Sequence, residues 1–358
     1  MKARRVMTLV LGVLLLCSSI AMAVPASNIY DIDEPYVYPI VPGTPEWAAL
    51  DNRITKGQVC QIPEDILSRM TTSALLETVL DYPLLADIYA WNSYDQGFAA
   101  LLNSFNGLSE LVNRPDFAQV LETFELEESA IAESTVSYKM TVAELGRERL
   151  FDFAIKSPYI TLSYEQNQTR SLPPFMRVPA DNGGLGISIV TLYTPAGTDV
   201  VGLRRVTFSH LGITSAMITE YEHAWSMAYP NAVKLADADP EYNCHSYAVY
   251  GLGSVIKYWI NDPSAFYTDG SFNEVLGSSP YYPQYSLIYN PSLSGSPYYV
   301  HSMVRISANT YVSKWGAFGR YRHSLTDNPY YIELDDLDLP IGPLPVKHYL
   351  LNPDYSDY

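Results

Sequence analysis

Two residues in this chain have the chemistry of a nucleophile and its base, Cys244 and His301. Cys244 lies in the run Asn243-Cys244-His245-Ser246-Tyr247-Ala248. Asparagine is among the best N-cap residues, so this run predicts a helix whose first turn carries the thiol. A thiol with an ordinary pKa of about 8.5 is mostly protonated at neutral pH, but the unpaired N–H groups and partial positive charge of a helix start favour the thiolate. Nucleophilic catalysis also needs a base within hydrogen-bond reach, normally supplied from elsewhere in the chain. His245 is next to the cysteine, and neighbours on a helix do not face each other. His301, at the start of a strand-like run, is therefore the expected base.

The thiol has competing readings. Outside the first 23 residues the chain holds only two cysteines, Cys60 and Cys244, and an even count in an exported protein invites a disulfide between them. A free buried cysteine without function is a third reading.

The elements that must position these residues can be read from periodicity and capping. Residues 24–61 hold many prolines, including Pro35, Pro39, Pro42 and Pro45, and read as an extended leader. From Ile62 the pattern turns helical. Pro63 suits a first turn, Thr72 is an expected cap, and Leu75, Leu76, Val79 and Leu80 repeat at helical spacing. Phe98, Leu101, Leu102, Phe105 and Leu108 form one apolar helix face, Pro115 opens another helix, and Thr141 with Glu144 makes a capping box. Residues 62–157 thus read as a helical domain and residues 158–358 as an α+β domain with a core at about 235–325. In the second part, Ile187 to Tyr193 and Val200 to Phe208 flank the turn-forming Pro195-Ala196-Gly197-Thr198, which predicts a hairpin. Met217, Tyr221, Ala224, Trp225 and Ala228 predict a helix, and Tyr285–Tyr289, Val300–Ile306 and Thr310–Trp315 predict three strands.

A cysteine at a helix start, a histidine on a following strand and a polar residue on the next strand resemble the papain-like cell-wall amidases and peptidases of the CHAP and NlpC type. Asn243-Cys244-His245-Ser246 stands where those families carry a motif such as Asp-Cys-Ser-Gly, and Val300-His301-Ser302-Met303-Val304 is similar to their base-bearing strand. The resemblance covers roughly residues 235 to 325. It implies an α+β fold with the cysteine helix packed on an antiparallel sheet, and attack on an amide carbonyl of a peptide or peptidoglycan-like substrate without metal or other cofactor. Val312-Ser313-Lys314-Trp315-Gly316 looks like the strand that orients the imidazole, which makes Ser313 the expected third catalytic residue, with His323 and Asn328 as fallbacks. Ser313 is a weak orienter, and Asn243 replaces the commoner acidic residue before the cysteine. In this role the Cys244 backbone N–H helps to bind the oxyanion. The alternative class is a non-enzymatic extracellular binding protein on the same scaffold, using its 30 tyrosines as contact surface.

Composition limits the partners. Met1 to Arg5 is basic, Val6 to Ile20 is apolar, and Ala21-Met22-Ala23 fits signal-peptidase cleavage, so export is expected with removal near Ala23. Cys17 follows Leu16, where a lipoprotein signal needs a small residue. The segment carries three basic residues and no acidic one, so its removal takes the net charge from −17 to −20. That charge repels nucleic acid and anionic lipid. No later segment is apolar over a membrane-spanning length. The remaining constellations are weak. Glu220-Tyr221-Glu222-His223 lacks the second histidine of a zinc helix, Asp335-Asp336-Leu337-Asp338 lacks the glycine and distal glutamate of a calcium loop, and Gly183-Gly184-Leu185-Gly186 opens no helix.

Overall fold

The computed structural model describes residues 30–92, 94–117, 119–121, 123–124, 187–250, 257–290, 298–333 and 343–355. Short helices lead the chain: α1 (Pro45–Ala48), α2 (Arg53–Val59), α3 (Glu64–Leu67) and α4 (Thr72–Leu80), then a 3-10 helix at Leu85–Ala90, α5 (Tyr94–Ser104) and α6 (Asn106–Val112). After residue 187 come β1 (Ser188–Tyr193), β2 (Asp199–Arg204), α7 (Ser215–Ala228), β3 (Val233–Ala236), α8 (Cys244–Tyr250), β4 (Trp259–Ile260) and α9 (Ser264–Thr268). The chain continues with β5 (Phe272–Val275), β6 (Gln284–Asn290), β7 (Tyr298–Ser307), β8 (Thr310–Lys314), β9 (Arg320–His323) and β10 (Val346–Leu351). All strand pairs are antiparallel. Seven strands form one sheet in the order β3-β9-β8-β7-β6-β10-β5, and β1-β2-β4 form a smaller one. The fold is of the α+β class.

Several local expectations hold for clear physical reasons. The β1–β2 hairpin pairs Ser188 with Arg204 through Tyr193 with Asp199, and Gly197 supplies the positive φ of 89° that its turn needs. Helix α7 buries Met217, Tyr221, Trp225 and Ala228, the stripe its spacing predicts. Others differ. Thr71 caps α4 by accepting from the Ala74 N–H, whereas Thr72 donates its hydroxyl to Asp116. The single helix expected from Phe98 to Leu108 is two, because Phe105 takes extended dihedrals and the Asn106 side chain turns back to bond the N–H and C=O of Ile62. The capping box at Thr141 and Glu144 and the junction at residue 158 lie outside the described residues.

The proline-rich stretch is no extended leader over its described part. Proline starts helix α1, and Trp47 is fully buried with its indole N–H donating to the Ala228 carbonyl 2.9 Å away. Arg53 and Lys56 of α2 are buried too, paired with Asp87 at 2.7 Å and with Asp327 at 2.5 Å. These pairs tie the first helices to the 3-10 helix and to the loop after β9. One continuous apolar core therefore runs from Tyr38 through the helical region to Trp225, Met303 and Trp315 of the later half.

The large sheet is covered on both faces, and strand alternation decides what each face meets. Met303 of β7 and Ile288 of β6 join the core shared with the helices, together with Trp315, which meets Trp225 edge to face at 5.5 Å. Val304 of β7 and Val312 of β8 instead pack against Tyr247 and Ala248 of α8. The cysteine helix thus lies on an antiparallel sheet, with β7 beneath it. Among the described residues no helix is long and apolar enough to cross a membrane.

Candidate active site

Asn243 starts α8 as its sequence predicts. Its Oδ1 accepts from the Ser246 N–H at 3.2 Å and from the Ile260 N–H at 3.3 Å, and its Nδ2 donates to the Ile260 carbonyl at 2.6 Å. Cys244 and Cys60 are both buried free thiols, so the expected alternative of a bridge between them is not what the structure contains. Burial pushes the Cys60 thiol up to about 12. Burial also raises Cys244, to about 11, against the opposing pull of the Ser302 backbone, the Asn92 side chain and the His245 backbone.

The side chain against the Cys244 sulfur comes from within the helical region, between the 3-10 helix and α5. Asn92, just beyond the 3-10 helix, is buried and donates through Nδ2 to Cys244 Sγ at 3.4 Å, and its Oδ1 lies 3.6 Å from the same sulfur, which can donate to it. Asn92 Nδ2 is also 3.0 Å from His245 Nε2. An amide nitrogen only donates, so Nε2 is the accepting nitrogen and the ring proton sits on Nδ1. Nδ1 then donates to Ser302 Oγ at 2.6 Å. Finally, Asn243 Nδ2 donates to Asn92 Oδ1 at 3.2 Å. His245 therefore does not point away from the cysteine's surroundings, since thiol and imidazole converge on one carboxamide. Burial depresses His245 to about 3 and keeps it neutral.

His301 and Ser302 are consecutive on β7, so alternation sends them to opposite faces. Ser302 meets the cysteine helix. His301 shares its face with Met303 and stacks on the Tyr330 ring, centroids 3.5 Å apart and planes 13° from parallel. No hydrogen bond joins His301 to Cys244. Both its ring nitrogens are buried without a hydrogen-bond partner, and burial holds the ring well below the usual imidazole range, with His323 and His245 adding to the effect. Ser313 does not orient it either. Its hydroxyl is 2.7 Å from His323 Nε2, because register places Ser313 on β8 opposite Tyr321 of β9, beside the His323 end of that strand. His323 donates its single ring proton from Nδ1 to the Ser324 carbonyl, so its Nε2 accepts from the Ser313 hydroxyl, and Asn328 donates to the carbonyls of Ser324 and Leu325.

Lys314 completes the surroundings of α8. It is fully buried, donates to the carbonyls of Gly316 and Phe318 at 3.1 and 2.7 Å, and is depressed by burial to about 7. Among the described residues no group of three or more His, Cys, Asp or Glu could hold a metal ion. Sequence reasoning missed Asn92, His245 and Ser302. The doublet His301-Ser302 held one signal, since only one of the two can face α8; for Asn92, 152 residues upstream of the cysteine, no local pattern exists. Compared with family models, curated proteins and solved structures, the chain matches none.

Proposed function

We propose that the chain is a papain-like cysteine hydrolase of amide bonds, exported from the cell and acting on peptide or peptidoglycan-like substrates, with Cys244 as nucleophile. The observation that carries the reading is the convergence of Cys244 Sγ and His245 Nε2 on a single carboxamide, with Asn243 Nδ2 facing its oxygen. A scissile amide seated there has the thiol beside it, an unprotonated imidazole nitrogen at its leaving nitrogen and an N–H donor at the oxygen that becomes negative. The Cys244 proton passes to His245 Nε2 as sulfur bonds the carbonyl carbon, and the same proton goes to the departing amine as the C–N bond breaks. Water, deprotonated by His245, then cleaves the thioester and restores the thiol. Ser302 fixes the tautomer this requires. His245 thus takes the place expected of His301.

Amine release from peptide amides and peptidoglycan fragments tests the reading. Because the Asn92 side chain fills the site, the comparison is made in Asn92→Ala: Asn92→Ala and Asn92→Ala/Cys60→Ala release amine and Asn92→Ala/Cys244→Ala does not, and equal release with and without Cys244 contradicts the reading.

A further inference from the structure

The Asn92 carboxamide has every polar valence matched. Its two N–H groups go to Cys244 Sγ and His245 Nε2, and its oxygen takes Asn243 Nδ2 and the Cys244 thiol. A primary amide has two donors and two acceptor lone pairs, and three consecutive residues, 243 to 245, supply the complement. We propose that this cradle is a binding site for a primary carboxamide, the terminal group of a glutamine or asparagine side chain or of an amidated peptide, and that Asn92 is its resident occupant, holding the enzyme latent. The substrate class rests on the hydrolase reading of the same site; the occupancy does not.

The occupant is delivered by a segment clamped from several sides. Arg53 and the Tyr229 hydroxyl both hold Asp87 of the 3-10 helix, at 2.7 and 2.6 Å, and the Tyr330 hydroxyl donates to the Ala90 carbonyl. Gly316, with φ of 54°, lies so close that a Cβ there would be 2.8 Å from the Tyr89 carbonyl oxygen and 3.1 Å from those of Ala90 and Trp91. Tyr330, which reaches Ala90, is also the ring on which the unpartnered His301 stacks. With the amide seated, the thiol stays protonated and the imidazole neutral, so proton transfer from sulfur to nitrogen is strongly uphill and Asn92 is not attacked. Withdrawal of the segment leaves nucleophile and base facing one another across a site shaped for a carboxamide.

The test uses the full chain and N-ethylmaleimide, with labelling at Cys244 and Cys60 read separately by peptide mass. Cys60 is equally buried and distant in sequence from the cradle, so it reports general unfolding. Asn92→Ala is expected to speed labelling of Cys244 by about tenfold or more, the scale of one net hydrogen bond lost, with Cys60 unchanged. Gly316→Ala, which displaces the segment while leaving the cradle residues in place, is expected to act in the same direction. Acetamide, but not acetate, is expected to slow labelling of Cys244 in Asn92→Ala. Unchanged Cys244 labelling in both variants, a parallel rise at both cysteines, or equal effects of acetamide and acetate would each overturn the proposal. Selective labelling and acetamide protection without any amine release would uphold the carboxamide site and remove the hydrolase reading.

Discussion

At the scale of single residues, Asn92 and His301 are opposites. Asn92 is buried with all its polar groups matched, and His301 is buried with none matched. An unpaired buried polar group costs about 1–3 kcal/mol, and native proteins keep few of them. Replacing His301 by Phe keeps a ring against Tyr330 and removes the unpaired nitrogens. His301→Phe is therefore expected to be neutral or more stable by about 1 kcal/mol in urea unfolding. In the Asn92→Ala background its amine release is expected to match that of Asn92→Ala alone, since the proposed mechanism assigns the base to His245; loss of release in a stable Asn92→Ala/His301→Phe would return His301 to the role its sequence suggested. That suggestion came from the order of cysteine and histidine along the chain. Order does not encode which face of a strand a side chain takes, and a shift of one residue, from 301 to 302, exchanges the faces.

At the scale of elements, the strands and the cysteine helix were legible because their patterns are local. Runs rich in aromatic and β-branched residues mark β6, β7 and β8, 3.6-residue spacing marks α7, and Asn243 marks the start of α8. Over the described residues 30–60 the same local reading, an extended leader, gives way to short helices. Their prolines are helix starts and turns, and what folds them is long-range: Trp47 to Ala228, Lys56 to Asp327 and Arg53 to Asp87. Asp87 is the hinge of this arrangement. Its carboxyl is raised by burial, opposed by Arg53 and by hydrogen bonds from Tyr229 and Arg53. Removing one partner of a buried ion pair leaves the other charge uncompensated, so Asp87→Asn is expected to cost about 3 kcal/mol in urea unfolding. It is also expected to loosen the 3-10 helix that carries Asn92. A cost within experimental error would show that the pair does not anchor the segment.

At the scale of the whole molecule, the two halves share a core and the buried bases couple stability to pH. Lys314 titrates at about 7 when folded and at 10.5 when exposed, so above pH 7 the unfolded chain binds a proton that the folded chain does not, and stability rises with pH. Above pH 9 the thiols oppose this, because they ionise at 9.0 when exposed and only at about 11 and 12 when folded. His245 and His323, depressed to about 3 and 4 from 6.5, make stability fall as the solution is acidified below 6.5, while the raised carboxyls of Asp87 and Asp327 pull the other way. The interval from pH 7 to 9 is the clearest. The urea midpoint is expected to rise across it in wild type and to stay flat in Lys314→Met; an equal rise in both would place the coupling elsewhere. The central claim is that Cys244 attacks an amide carbonyl, and trapping the acyl-enzyme tests it most directly. Asn92→Ala incubated with an amidated peptide and quenched in acid is expected to carry the acyl group as a thioester on the Cys244 peptide, in step with the ammonia released. Ammonia release with no adduct on Cys244, or an adduct that persists in Asn92→Ala/Cys244→Ala, would contradict it.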